Sequence, residues 1–403
     1  MQIQSENRLS LDVPFRQLFK NFAFPIPHGT SFEYLSNFPE LPPGHWEQSC
    51  VHSESTLHQL SPYIGKLKSS IAHDLICKYT KPGDIIVDPF AGSGTIPLEA
   101  ALLGRRVYAA DISPYAKILT TAKLSSPPSL EEALDLAIRA LSGAARRPEP
   151  DIDNVPEWVR KFFHPKTLKE SIQFASVARK KGNEFLMACF LGILHHERPG
   201  FLSFPASHLV PYLRDQKYPP DKFPKMYEYR ELSPRLIAKI RRAYKRKGDF
   251  QSNTEWVFRQ SKIENLSFPE IFDCLISSPP YMNTLDYGRD NRLRLWFIDP
   301  KGDRNTDNPV TKERKAFRQA ISYLAKKVNL RLKKGGFCIL IVGERISGSQ
   351  PAHLSENICQ IMAKKAPLLK LVSIIKDYIP DIRRSRKNCK ATKSEHILVF
   401  QRF

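Results

Sequence analysis

Apolar residues fall into two rhythms along this chain. Short continuous apolar runs, bounded by Gly, Pro or charged residues, read as buried strands: GDIIVDPF (83–90), RRVYAAD (105–111), EWVFRQ (255–260), FDCLIS (272–277), GFCILIVG (336–343), LVSIIKDYI (371–379) and HILVFQR (396–402). Helical spacing appears from Leu57 to Lys81, with Ile71, Leu75 and Ile76 on one face, and again in IPLEAALLG (96–104), which Gly104 closes at C′. Residues 120–250 change character, being helical, basic and interrupted by prolines, as in WVRKFFHPKTLKESI and PRLIAKIRRAYKRKG. Strand–helix alternation on both sides of such a block predicts an α/β fold: one sheet with a large helical insertion. The expected division is an arm over 1–57, a sheet-bearing domain from 58–119 and 251–403, and the insertion over 120–250.

Composition narrows the picture. With 403 residues, 41% of them hydrophobic, the chain can bury a core spread over two lobes. No window approaches about 18 uninterrupted apolar residues, so no membrane helix or membrane partner is expected. The N-terminus, MQIQSENRLSLDVPFRQLF, has no basic region followed by an apolar stretch, so no secretory signal is expected. Seven cysteines (Cys50, Cys77, Cys189, Cys274, Cys338, Cys359, Cys389) lie scattered without a CxxC pair. That pattern reads as reduced thiols in a cytoplasmic protein, with no metal site. Sixty-two Lys and Arg against forty-one Asp and Glu leave a formal charge of +21, a field that attracts polyanions such as DNA or RNA. A basic protein without such a partner is the competing reading.

The first chemical motif is VDPFAGSGT (87–95), where a strand ends in Asp88 and enters a small-residue loop before a helix. Gly92 and Gly94 permit positive φ and close backbone approach to a ligand at the carboxyl edge of a sheet. The loop lacks the GK[ST] of a phosphate-cradling P-loop and is not a full GxGxxG. The second strand ends in Asp111, where an acid can accept hydrogen bonds from ribose hydroxyls. A glycine loop with a ribose acid implies a nucleoside-bearing cofactor; a bare Gly-rich turn is the alternative. A second motif, CLISSPPYMN (274–283), stops an apolar strand with two prolines, which cannot extend a sheet ladder.

The segment DPFAGSGTIPLEAALLGRRVYAADISPYA closely resembles the S-adenosyl-L-methionine (AdoMet) region of amino-methyltransferases that act on exocyclic nitrogens in nucleic acids, and SPPY is that family's catalytic motif. The resemblance covers 58–118 and 255–403, and the middle block poorly. It implies a Rossmann-like class I methyltransferase sheet, AdoMet as cofactor with S-adenosyl-L-homocysteine (AdoHcy) as product, no metal, and Ser278, Pro279, Pro280 and Tyr281 as catalytic residues. Cofactor contacts are implied at Asp88, Pro89, Phe90, Gly92, Gly94, Thr95, Asp111 and Ile112. The upstream segment HQLSPYIGKLKSSIAHDLI (58–76) is similar to a further cofactor segment, with Tyr63, Gly65 and Lys66 as contacts. Gln260 and Ser261 occupy the place where the family offers a carboxylate to the adenine amine.

The motif fits its chemistry. An exocyclic amine is a poor nucleophile because its lone pair is conjugated into the ring. Acceptors aimed at both N–H groups, here the Ser278 hydroxyl and the Pro279 carbonyl, hold the nitrogen so that its lone pair faces a methyl donor. Two prolines fix that corner and offer no competing N–H, and Tyr281 supplies a face for an extruded base. A proline-terminated strand with Tyr281 in the core is the competing reading. In the family, SPPY goes mainly with cytosine N4, and an Asp or Asn in the first position with adenine N6 or guanine N2. Cytosine C5 chemistry is disfavoured, since it needs a cysteine that usually follows a proline and none here does.

Basic residues suggest where a nucleic acid would lie. SPRLIAKIRRAYKRKG (233–248) places Arg235, Lys239, Arg242 and Arg246 near one helical face, and Arg289, Arg292 and Arg294 follow the SPPY corner. A solvated basic face is the ordinary alternative. The leading expectation is a site-specific methyltransferase of double-stranded DNA at cytosine N4, with residues 120–250 for target recognition and a restriction endonuclease as a candidate companion. Adenine-N6 methylation, a tRNA guanine-N2 enzyme and a catalytically idle DNA-binding subunit are the alternatives.

Overall fold

The computed structural model describes residues 54–196, 200–204, 218–250, 254–280, 288, 291–302, 313–345, 354–378 and 392–403. Seven strands form one sheet: β1 (Ile85–Asp88), β2 (Arg106–Asp111), β3 (Trp256–Gln260), β4 (Phe272–Ser277), β5 (Leu332–Arg345), β6 (Leu369–Tyr378) and β7 (Thr392–Arg402). Their spatial order is β3-β2-β1-β4-β5-β7-β6. Neighbours from β3 to β5 pair in parallel, while β7 runs antiparallel to both β5 and β6. This is the expected Rossmann-like class I methyltransferase sheet. Each strand prediction lands on a strand, with ends displaced by up to four residues.

The central strands β1 and β4 are almost wholly buried because both of their faces are covered, whereas the edge strand β3 is largely exposed. Helices α1 (Ser69–Tyr79) and α2 (Thr95–Leu102) pack with Ile86, Val107, Ile276 and Ile339 on one face. Alternate residues, among them Val87, Leu275, Cys338 and Leu340, point to the other. There they meet two helices that the sequence reading did not identify, Arg314–Arg331 and Leu354–Lys365. The helical stretch expected from Leu57 to Lys81 is also corrected. It divides into a 3₁₀ turn (Thr56–Gln59) and α1, with an irregular, turn-containing link between them that holds Pro62 and Gly65 at φ 76°.

The insertion leaves the sheet after α3 (Pro114–Leu124), so the boundary expected at 120 falls inside a helix. Among the described residues, five α-helices follow: α4 (Leu130–Ala145), α5 (Glu157–Arg160), α6 (Pro165–Lys180), α7 (Glu184–Leu191) and α8 (Leu232–Ala243). Three of these helices, α4, α6 and α7, are capped by the side chain at their N-cap position. The Ser129 hydroxyl accepts from the Glu132 N–H at 3.1 Å to cap α4, and the Asn183 side chain accepts from the Leu186 N–H to cap α7. α9 (Arg292–Ile298) follows the SPPY corner, and α10 (Arg314–Arg331) and α11 (Leu354–Lys365) are the two helices named above. Among the described residues, the lobe shares its core with the rest of the chain. Phe162, Phe174, Phe190 and Leu236 share one apolar cluster with Leu57, Leu60, Tyr115 and Leu119 of the sheet domain and with Trp296 and Phe297 of α9.

Candidate active site

Parallel pairing of β1 with β4, in which Val87 stands opposite Leu275, sets the ends of the two motif-bearing strands side by side. The Ser277 hydroxyl donates to Asp88 Oδ1 at 2.6 Å, joining positions 189 apart in the chain. Just beyond, Ser278 and Pro280 line the same cavity as Asp88. That cavity measures about 540 Å³, within the range of small-molecule sites.

The glycine loop forms one wall. Gly92 has φ +50°, and a Cβ there would come 3.3 Å from the Tyr63 ring, so the missing side chain lets Tyr63 lie against the loop. Tyr63 is in turn stacked on Tyr115 at 5.7 Å, and the Tyr115 hydroxyl donates to the Pro62 carbonyl at 2.7 Å. The end of β2 latches the loop: Asp111 Oδ2 accepts from the Gly92 N–H at 2.9 Å and Oδ1 from the Ser113 N–H at 2.8 Å. Each oxygen keeps acceptor capacity, so both can still meet a diol.

Two carboxylates set the electrostatics of this wall, Asp88 buried and Asp111 partly buried. Burial pushes the Asp88 carboxyl up to about 7, against the pull of the Ser277 hydroxyl and the Phe90 N–H. Asp111 is raised by burial as well. Such a wall favours a ligand that brings hydrogen-bond donors or positive charge. A nucleoside carrying a sulfonium and an ammonium, as AdoMet does, satisfies both demands.

Of the residues expected to contact the cofactor, Tyr63, Gly65, Lys66, Asp88, Pro89, Phe90, Gly92, Thr95, Asp111, Ile112 and Ser261 all line the cavity. Gly94 does not. It is the N-cap of α2 at φ 72°, where a Cβ would sit 2.9 Å from Thr120 Cα, so its role is close packing against α3. Gln260 is a correction too, since it is exposed and its amide donates to the Ile112 carbonyl at 3.4 Å. Pro279 is buried behind the corner, and Tyr281 and Arg289 lie outside the described residues. The sequence reading missed the wall opposite the loop, built by Lys262, Ile263 and Glu264 after β3 and by Ala316, Gln319 and Tyr323 of α10. The only signal was the four-residue spacing of Gln319 and Tyr323 beside the apolar stripe Phe317, Ile321, Leu324 and Val328.

The basic residues divide. Arg242 is exposed, as is Arg292, whose guanidinium stacks 4.2 Å from the Trp158 ring. Arg294 is corrected: it is 3% exposed, donates to the Leu191 carbonyl at 3.3 Å and faces the Tyr115 ring, so it is withdrawn from any phosphate. Lys239 donates to the Gln59 carbonyl at 2.5 Å, with burial pushing its ammonium down to about 8. Arg235 turns back on the Glu231 carbonyl at 2.8 Å. Arg246 is half-buried, and its backbone exchanges hydrogen bonds with Thr56.

Residues 36–121 match the N6_N4_Mtase family model, described as a DNA methylase. The chain is 27% identical over 246 residues to the Type II methyltransferase M.MvaI of Kocuria varians, covering 55% of this chain and 52% of that protein. It is 34% identical over 68 residues to the Type II methyltransferase M.MjaII of Methanocaldococcus jannaschii, covering 17% and 13%. The chain thus spans about half the length of the first relative and far less of the second. Among solved structures, TrmN from Thermus thermophilus is similar at a TM-score of 0.33 and 12% identity, over 84% of this chain and 50% of that one. The strand order, rather than this likeness, establishes the sheet.

Proposed function

We propose that the chain is an AdoMet-dependent DNA methyltransferase that transfers a methyl group to the exocyclic N4 of cytosine. One observation carries the reading: the Ser-Pro-Pro corner and the glycine loop share one cavity, tied together by the Ser277–Asp88 hydrogen bond. The family match over 36–121 and the two Type II methyltransferase relatives support the same class.

Asp111 would hold the ribose, and Asp88 would offset the cofactor's positive charge. When bound, AdoMet supplies an electrophilic methyl on sulfur. The chain's own work is positioning. Ser278 Oγ and the Pro279 carbonyl accept from the amine's N–H groups, and the adjoining prolines keep that corner stiff and free of donors. Tyr281 stacks on the base once it has left the duplex. Exposed Arg242 and Arg292 contact phosphates, which sets the register of the duplex without reading its sequence. A restriction endonuclease of the same specificity is the natural companion.

The test is to express the protein in a host without DNA methylation, read its genome by single-molecule kinetics and digest the DNA to nucleosides for mass spectrometry. N4-methylcytosine in one short motif is the expected result. N6-methyladenine would keep the reaction class and overturn the cytosine assignment. Unmodified DNA from cells holding folded protein would overturn the DNA reading.

A further inference from the structure

The cavity does not account for a second group of polar side chains buried behind the glycine loop. Lys123, on α3, is 1% exposed and does not line the cavity. Its Nζ donates to the Ser93 carbonyl, in the middle of the loop, at 2.5 Å. The Ser93 hydroxyl pairs with Thr95 Oγ1 at 3.0 Å, so that residue is gripped at both its carbonyl and its side chain. Beside Lys123 lies Glu99 of α2, whose carboxylate meets His58 Nε2 at 2.6 Å and His73 Nδ1 at 3.2 Å. The His58 carbonyl accepts from Lys66, which does line the cavity, at 3.0 Å. One cluster therefore grips two of the chain segments that line the cavity, the glycine loop and the segment of Lys66.

A fully buried ammonium is an expensive donor for one carbonyl. Burial pushes the Lys123 pKa well down and Lys66 adds to that, while Glu99 and Glu54 pull it back up. Burial acts on Glu99 in the raising direction, but its two histidine hydrogen bonds hold it below the usual carboxylate range. His58 is kept low by its own burial, so the net charge that faces Lys123 from this pair is the Glu99 carboxylate. A neutral donor would satisfy the Ser93 carbonyl at lower cost to the fold. What an ammonium adds is a stronger hold on the carbonyl dipole, drawing it into the protein and away from the ligand face.

We propose that Lys123 is a positioning residue for cofactor binding, acting through the Ser93 carbonyl to hold the glycine loop in its binding-competent shape. This rests on the reading that the cavity takes AdoMet. It assigns to Lys123 a part of the affinity without any contact to the ligand.

The test measures AdoHcy binding by titration calorimetry, with thermal melting of the ligand-free protein in parallel, for the wild type and Lys123→Met. The expected result is a variant that stays folded at the assay temperature yet binds AdoHcy about tenfold more weakly or worse. The wild-type-to-variant ratio of affinities should also fall as pH rises and Lys123 loses its proton. Titration of Asp88 or the half-exposed His73 is common to both proteins and cancels in that ratio. Equal affinities would overturn the proposal, as would a lowered melting temperature with affinity unchanged, the signature of a purely structural lysine. Should Lys123→Met not fold, Glu99→Gln serves: removing that carboxylate lowers the Lys123 pKa further and should move the fall in affinity to lower pH, and an unmoved profile would overturn the proposal. A wild type that does not bind AdoHcy at all would instead refute the cofactor reading.

Discussion

Asp88, Asp111 and Ser278 converge on one cavity from the ends of three parallel strands, whereas Arg235, Lys239 and Arg294, all expected to face phosphate, end on backbone carbonyls of the protein itself. The difference lies in what each kind of element fixes. A residue just past a parallel strand must emerge at the carboxyl edge of the sheet, so a motif there has a known destination. A residue on a helix has known neighbours at three and four positions but an unknown partner across the gap. In the inserted lobe the partner is often the sheet domain: Lys239 reaches Gln59, and Thr56 bonds the Ala243 carbonyl at 2.6 Å. The positive charge of Lys239 thus serves to dock the lobe.

Breaking the cavity should have the largest effect. Ser278→Ala is expected to lower kcat on the order of 100-fold while AdoMet affinity stays within about twofold, because the hydroxyl acts on the amine and not on the cofactor. Affinity that collapsed while kcat held would reverse the assigned roles. Asp111→Ala should weaken AdoHcy binding by about 10- to 100-fold in calorimetry, through loss of a charged acceptor that also latches Gly92.

Smaller effects separate the two regions. Arg242→Ala should reduce the slope of log affinity for DNA against log salt by about 1, whereas Lys239→Ala should leave that slope unchanged and lower thermal stability instead. Equal slopes for both variants would remove the distinction between phosphate-facing and docking charges.

The smallest signal is a proton. With its folded pKa raised to about 7 from an ordinary 3.8, Asp88 in the ligand-free protein holds a proton that the unfolded chain has lost between those values. Its contribution to stability is therefore present at low pH and declines as pH rises towards 7. Asp111, also raised, acts in the same direction. A cationic ligand favours the ionised form, so AdoMet binding at about pH 6 should release up to about one proton, fading by about pH 8. Calorimetry in two buffers of different ionisation enthalpy reads this directly, and Asp88→Asn should abolish most of it.

The sheet was legible because its central strands are buried on both faces and read as short apolar runs, and the edge strand β3, though largely exposed, kept enough apolar residues to be read too. The glycine loop, Asp111 and the Ser-Pro-Pro corner were legible because their chemistry admits few residue types. The irregular link after Gln59 was misread as helix because the apolar spacing of α1 was carried back through Pro62 and Gly65. α10 went unseen because Phe317, Ile321, Leu324 and Val328 are interleaved with charge in RKAFRQAISYLAKKVNLR. Its contribution to the cavity could not be read locally, since Gln319 and Tyr323 reach the ligand face only through packing of α10 on the sheet. Burial of Arg294 was likewise hidden, because nothing in its sequence neighbourhood announces Leu191 and Tyr115 as its surroundings.

The most direct test of the account incubates the purified protein with AdoMet carrying an isotopically labelled methyl group and double-stranded DNA, then separates the nucleosides of the digested DNA. The account predicts label in N4-methylcytosine, absent from the Ser278→Ala reaction. Cofactor binding without label in any DNA base would contradict it.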